Sequence, residues 1–580
     1  MITSCLSVAR HPQLRFCRAW GSKDVVTSGS IPRKQPFRGG LCRPRPAINC
    51  ILQDRQHVSS LTSHTGRTHY DRLVLASESS LQTPRSKSGG EVGLTFLVVC
   101  TSLVLFVTVR LFSARFRYRT AYRSVRKRVL IIGGGFAGLQ VVKDLAKKCE
   151  VTVVDVRDFF EYTPGVLSAL VGGRPLRRGL TAASTYHSSA EKLLKAENNR
   201  SIGALMRVRQ LHRSLRRAVP KKARFVKVSP EHNLSLRPGK LDISTKLCEP
   251  VADTVSWDYL VLATGSVYPT PMKPETFSSN EKDTTSSLRH AQLAAHASRI
   301  ARAKHVLIIG GGIVGVELAA ELAAAAGRSP QRLTLTHSAT SLLDGLPSSA
   351  SEHATEWLKR HGVEILLGER FESSADKNAE GGHCYRGVNS QAVIIADEVI
   401  FASGSRAATD FLQNGVSLSD ANDDSVAPHL RVPLDTKGRI QVDEDTFRVD
   451  CGVSVVPSEN GSERKIKVFC VGDAASKSVD RYLASFAHWE AEYVSESIMR
   501  DINIQAKGGT SDTSEVEPFR PPPRFMCVSL GPFDGIFIWD ARIICSGLMA
   551  AVLKLAIELW FKNFLPAPYS VCRLLPRLDS

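Results

Sequence analysis

Two segments of this 580-residue chain carry glycines at the spacing that builds a phosphate cradle. In the first, RVLIIGGGFAGLQVVKDLAKKCEVTVVD, an apolar run leads into Gly133, Gly135 and Gly138, with Gly134, Phe136 and Ala137 completing the turn. Gly133 permits a tight turn, Gly135 lets the backbone approach a pyrophosphate, and Gly138 lets the following helix pack closely on the strand. The head of that helix offers unpaired N–H groups and a partial positive charge to an anion. Asp155 ends the next apolar run, where a carboxylate can accept hydrogen bonds from an adenosine ribose. Dinucleotide binding follows from the agreement of all these parts. The unit recurs in HVLIIGGGIVGVELAAELAAAAGRSPQRLTLTH, with Gly310, Gly312 and Gly315 at the same spacing. Its second run ends at His337 instead of an acid, so the group that favours NADH through the ribose 2′-OH is missing and NADPH is expected to be tolerated.

The elements that must position these glycines are legible in the pattern. From Val129 onward, strand and helix signals alternate, which predicts an α/β fold with parallel sheets and two Rossmann-like dinucleotide-binding units. The run KVFCVGDAAS closes on Gly472, Asp473 and Ala474, small residues around one acid at the head of a helix, where backbone can approach a ligand. Ala263, Thr264 and Gly265, and the parallel Ala402, Ser403 and Gly404, also end apolar runs; as isolated triplets they fit plain turns equally well. Breaks near 184–224, 273–285, 409–428 and 502–523 read as insertions or linkers, the first holding RVRQLHRSLRRAVPKKAR, a solvated basic helix by composition.

Length predicts three or four domains. The formal net charge of +20 is concentrated at one end: residues 1–128 carry 22 Lys/Arg against 5 Asp/Glu. The remainder is nearly neutral, which argues against a nucleic-acid-binding body. Residues 1–90, rich in Arg and Ser and poor in acids, resemble an organellar transit peptide in composition, with a disordered tail as the alternative. Gly93 to Val109 is uncharged and just long enough to span a bilayer, and eight basic residues from Arg110 to Arg128 would sit on an anionic surface. A membrane anchor over 91–128 is the expectation, a cleaved signal its competitor. No CxxC pair occurs among thirteen cysteines, so neither a metal site nor a dithiol is expected. Near the C-terminus, 547–565 places Leu548, Val552, Leu555, Ala556 and Leu559 at helical spacing, with Lys554, Glu558 and Lys562 as a polar stripe. Such a helix lies in a bilayer interface with Trp560 near the headgroups, or packs on the protein's own core.

The paired glycine motifs, DYLVLATGS at 258–266, EVIFASGS at 398–405 and KVFCVGDAAS at 467–476 together resemble the two-dinucleotide-binding flavoproteins, over Val129 to the C-terminus. Within that group the chain resembles both the type II NADH:quinone dehydrogenases and the apoptosis-inducing-factor-like quinone reductases. FFEYTPGVLSALVGG at 159–173 points to the former, FMCVSLGPFDGIF at 525–537 to the latter. The resemblance implies FAD on the first unit and NADH or NADPH on the second, with hydride passing to FAD and two electrons onward to a quinone. It places Thr163, Pro164 and Gly165 beside the flavin ring, Asp473 on the ribityl chain, and Glu317, the acid of GVELAAEL, near the nicotinamide; His488 or Trp489 would border the flavin. The implied layout is an FAD domain in two parts, 129–299 and 406–520, interrupted by an NAD(P)H domain at 300–405 and followed by a membrane-associated region at 521–580. The implied partners are a quinone and a membrane lipid surface, with a homodimer compatible. The location is an organellar membrane, the mitochondrial inner membrane first and a plastid membrane second. A slowly turning redox-sensing protein is the rival reading.

Overall fold

The computed structural model describes residues 126–171, 212–229, 232–245, 253–274, 285–326, 331–373, 383–413, 430–457, 463–479, 482–507 and 517–563. Two parallel sheets dominate. The first has the order β11-β6-β1-β2-β5, from β1 (Arg128–Ile132), β2 (Glu150–Asp155), β5 (Arg224–Lys227), β6 (Tyr259–Leu262) and β11 (Lys467–Cys470). The second has the order β9-β8-β7-β10, from β7 (His305–Ile309), β8 (Arg332–His337), β9 (Val363–Leu367) and β10 (Glu398–Phe401). The last strand of the first sheet therefore comes from beyond the whole of the second. After Arg128, β1 is apolar and buried, as is β6, because both sheet faces are covered, as parallel sheets require.

Each sheet hands its glycine turn to a helix. Helix α1 (Phe136–Leu145) leaves β1, α3 (Ile313–Ala326) leaves β7 and α4 (Ser348–Arg360) leads into β9, while α2 (Ser286–Arg302) precedes the second sheet. Gly133 has φ +107°, and a Cβ there would lie 2.3 Å from the Ala263 carbonyl oxygen. A Cβ on Gly138 would lie 1.8 Å from the Gly133 carbonyl oxygen, so the helix could not come so near its strand. Gly310 and Gly315 repeat both relations in the second unit, with φ +121° at Gly310.

Helix α5 (Ala484–Ala506) packs along α1, and through Phe486, Trp489 and Val494 joins the core that holds Val141 and Val261. The C-terminal region is an antiparallel sheet, β12 (Phe525–Ser529), β13 (Gly535–Trp539) and β14 (Arg542–Ser546), followed by α6 (Leu548–Asn563). Met526, Val528 and Ile536 share one core with Val316 and Leu318 of α3, which fixes this sheet against the second unit.

Two expectations change here, and a third falls outside the described residues. The basic stretch near 207–224 is not one solvated helix: in its described part only Leu215–Ala218 is helical, and Arg224 opens β5, which pairs in parallel with β2. Backbone pairing with β2 at the edge of the sheet, not charge, decides that placement. The break expected from 502 falls inside α5, which runs to Ala506. Residues 1–90 and all but the last three residues of the expected anchor, 91–128, lie outside the described residues, and Arg128 opens β1; among the described residues no helix is long and apolar enough to cross a membrane.

Candidate functional site

One cavity of about 610 Å³ gathers most of the residues singled out by sequence. Gly134, Gly135, Phe136 and Ala137 line it from the head of α1; Thr163 and Pro164 from the turn after β3 (Phe159–Glu161). Ala263, Thr264 and Gly265 line it from the end of β6, Gly472 and Asp473 from the end of β11, and Glu317 from the second turn of α3. Strand ends on one edge of a parallel sheet converge on such a crevice because every crossover returns the chain to the same side.

Other predicted residues stand elsewhere. Gly133 and Gly138 shape the turn from behind. Asp155 is buried, and its two carboxylate oxygens accept hydrogen bonds from the backbone N–H of Gly134 (2.6 Å) and of Arg157 (2.8 Å), so it braces the glycine turn from beneath. Gly310, Gly312, Gly315, His337 and Gly404 belong to the second unit and do not line this cavity, nor do Gly165 and Ala474. His337 lies against the second cradle, where a Cβ on Gly311 would meet its ring carbon at 2.8 Å. Its Nε2 is buried with no hydrogen-bond partner among the described residues, and desolvation lowers its pKa. Trp489 lines the cavity, whereas the neighbouring His488 turns away to Glu492, 3.5 Å distant between α5 and α1.

Glu317 is not a solvated helix carboxylate. Its Oε1 accepts from the Ser529 backbone N–H (2.8 Å) and from the Lys554 ammonium (3.3 Å), tying α3 to β12 and α6. Burial works against the charge on Lys554, but Glu317 and Glu321 outweigh it and hold the ammonium above its ordinary pKa. Burial raises the Tyr162 hydroxyl pKa, with Glu558 and Glu317 adding to the effect. Below Tyr162, Glu161 and Arg289 form an ion pair at 2.8 Å with each side chain 1% exposed, which closes the cavity wall. Cys527 also lines the cavity, but burial pushes its thiol up to about 12.

Sequence reading passed over several lining residues. Lys273 falls in a stretch read as a linker, and Ser266 follows a triplet too common to mark a site. Lys554 and Glu558 were visible as a stripe, but nothing local told which way it faces. The cavity fits a flavin dinucleotide. Thr264 Oγ1 is buried in the wall with no hydrogen-bond partner among the described residues, and the head of α1 has no side-chain cap. Both are polar groups that a bound ligand would satisfy.

Residues 127–488, which contain both cradles and the Gly472–Asp473 turn, match the pyridine nucleotide-disulphide oxidoreductases. The chain belongs to that family. It is an NAD(P)H-dependent flavin oxidoreductase, with FAD and NAD(P)H as its cofactors. Its relatives include apoptosis-inducing factor homolog B of Dictyostelium discoideum, 24% identical over 76% of this chain and 97% of that one. Fe-regulated protein 8 of Mycosarcoma maydis is 27% identical over 47% of this chain and 60% of its own length. The fold is also that of NDH2 from Plasmodium falciparum in complex with NADH: 13% identity, TM-score 0.50, covering 77% of this chain and 100% of that one. The paired thiols in the family's name have no counterpart at this cavity among the described residues, where Cys527 stands without a second cysteine.

Proposed function

We propose that the chain oxidises NAD(P)H and delivers the electrons to a quinone that enters the flavin cavity beneath α6 from a membrane surface. The orientation of α6 carries this reading. Leu553, Lys554, Ala556, Ile557 and Glu558 line the cavity, whereas Leu548, Val552 and Leu555 are 63%, 50% and 45% exposed. A helix serving only its own core buries its apolar stripe and exposes its charges. Here Lys554 turns inward to Glu317 and Glu558 lines the cavity, while Leu548, Val552 and Leu555 are left for another phase. Ala556 leaves the apolar stripe to which its spacing assigned it and joins the cavity wall.

Bound FAD supplies the redox chemistry, taking a hydride from reduced nicotinamide and passing an electron pair to the acceptor. The chain's own residues provide the setting. Asp473 and Thr264 offer hydrogen-bonding groups to the ribityl and phosphate portions, Thr163 and Pro164 form the wall for the ring, and the Glu317–Lys554 pair positions the nicotinamide edge. Phe525, Met526 and Phe537 complete an apolar wall opposite α6 that suits a flat quinone ring. An organellar membrane, the mitochondrial inner membrane first, fits the basic leader.

The test is NAD(P)H oxidation with a water-soluble short-chain quinone and with a long-chain quinone held in vesicles. Restoring water to three half-exposed aliphatic side chains forfeits about 1 kcal/mol each. Leu548→Ser/Val552→Ser/Leu555→Ser is therefore expected to cut vesicle activity at least roughly tenfold while sparing the soluble assay. Failure of the unaltered protein to reduce either quinone overturns the acceptor; full vesicle activity in the triple variant overturns the membrane route.

A further inference from the structure

We propose that Lys273 and Arg157 form a cationic clamp in this cavity, gripping the diphosphate of the bound dinucleotide against the N-terminus of α1. This inference rests on the flavin cofactor and is independent of the acceptor.

Lys273 lines the cavity, and its ammonium donates to the Ser266 carbonyl oxygen (2.6 Å) and to Ser266 Oγ (3.0 Å). That hydroxyl donates in turn to Asp473 Oδ2 at 2.7 Å. Among the described residues no carboxylate reaches Lys273 at ion-pair distance, so its nearest negative charge acts only through a hydroxyl. An ammonium has three N–H donors; two go to Ser266, and beyond them the ammonium has only the face of the Tyr268 ring, 4.9 Å from its centroid, among the described residues. Arg157 lines the same cavity just beyond β2 and among the described residues pairs only with Asp155, at 3.6 Å, whose oxygens already accept two backbone N–H groups.

The two cations sense each other. Burial is the main force lowering the Lys273 pKa to about 8; Asp473 opposes it, Arg157 adds to it, and Glu161 opposes it weakly. Glu161 is already neutralised by Arg289. Two enclosed cations with so little compensation are costly unless an anion joins them.

The anion's seat is the head of α1, ten residues long, with no acid in its first turn and no side-chain cap at Gly135. Its turn lines the same cavity. The free N–H groups and the helix dipole favour a phosphate there. Arg157 follows Asp155, whose carboxylate accepts from the Gly134 N–H, and Lys273 reaches Asp473 through Ser266, so both cations stand by the two glycine turns, where the phosphates would lie.

The experiment is a fluorescence titration of the deflavinated full-length chain with FAD, with ADP, and with riboflavin, which has the ring but no phosphate. A lost charge-assisted hydrogen bond to phosphate corresponds to at least roughly tenfold. Lys273→Met is expected to weaken FAD and ADP by that factor and leave riboflavin unchanged, and Arg157→Gln to show the same selectivity. Lys273→Arg keeps the charge and should bind FAD within about threefold of the native chain. In the native chain FAD affinity should fall as pH rises through 8, because the ammonium needed by the diphosphate is lost; in Lys273→Arg it should stay level. Equal weakening of FAD and riboflavin by Lys273→Met would show that the residue only packs the wall. Unchanged FAD affinity, or a pH profile identical in the native chain and Lys273→Arg, also overturns the clamp. The pH comparison requires no folded Lys273→Met protein.

Discussion

Replacing Glu317 by glutamine isolates the contribution of one charge at the proposed nicotinamide edge. The amide oxygen can still accept from the Ser529 N–H, so β12 remains docked, but Lys554 loses its counter-ion at 3.3 Å. A charge-assisted hydrogen bond contributes about 1.5–3 kcal/mol. The Lys554 side chain is 28% exposed against 12% for Glu317, so solvent screening reduces this to about 1–1.5 kcal/mol. Flavin reduction by NAD(P)H should therefore slow about five- to tenfold in Glu317→Gln. The assay is anaerobic stopped-flow bleaching of the flavin's visible absorbance, with the melting temperature as a control for docking of the C-terminal sheet. Lys554→Met should produce a comparable loss, and the double variant should be no worse than either single one, because both remove the same pair. The raised Lys554 pKa implies that the pair's contribution is complete below the ordinary lysine range and is lost only as pH rises beyond it, so the effect should be level from pH 7 to 9. A wild-type reduction rate in Glu317→Gln, or additive losses in the double variant, refutes this account.

Two other substitutions probe the second cradle and the thiol. His337→Asp places a carboxylate beside the adenosine ribose site; a like charge near a 2′-phosphate costs at least about 1.4 kcal/mol, so kcat/KM for NADPH should fall at least about tenfold while that for NADH holds, and equal losses would remove His337 from coenzyme selection. Cys527→Ser should retain NAD(P)H oxidation within about twofold, since a thiol pushed to about 12 is almost wholly protonated at neutral pH; abolished flavin reduction with intact FAD binding would restore a thiol mechanism.

Both nucleotide cradles were legible in sequence because their geometry is local: Gly133 and Gly138 are demanded by backbone contacts within one strand–turn–helix unit, and no other residue type satisfies them. The same holds for the Gly472–Asp473 turn and the two parallel sheets, where apolar runs ending in small residues announce strand ends. The hydrogen bond from the Gly134 N–H to Asp155 was less so, since a carboxylate at a strand end can accept from a ribose, from its own glycine turn, or from both. Lys273 and Ser266 had no motif, because they meet Asp473 across about two hundred intervening residues.

Sequence alone determined that this chain holds two dinucleotide folds, since glycine spacing and period are properties of neighbouring residues. Tertiary structure alone decided which way the C-terminal helix faces. The same polar stripe could meet solvent or a buried carboxylate; only packing of Met526, Val528 and Ile536 against α3 brings Lys554 to Glu317 and turns Leu548 and Val552 outward. That outcome depends on matching surfaces far apart in the chain, and no local periodicity encodes it.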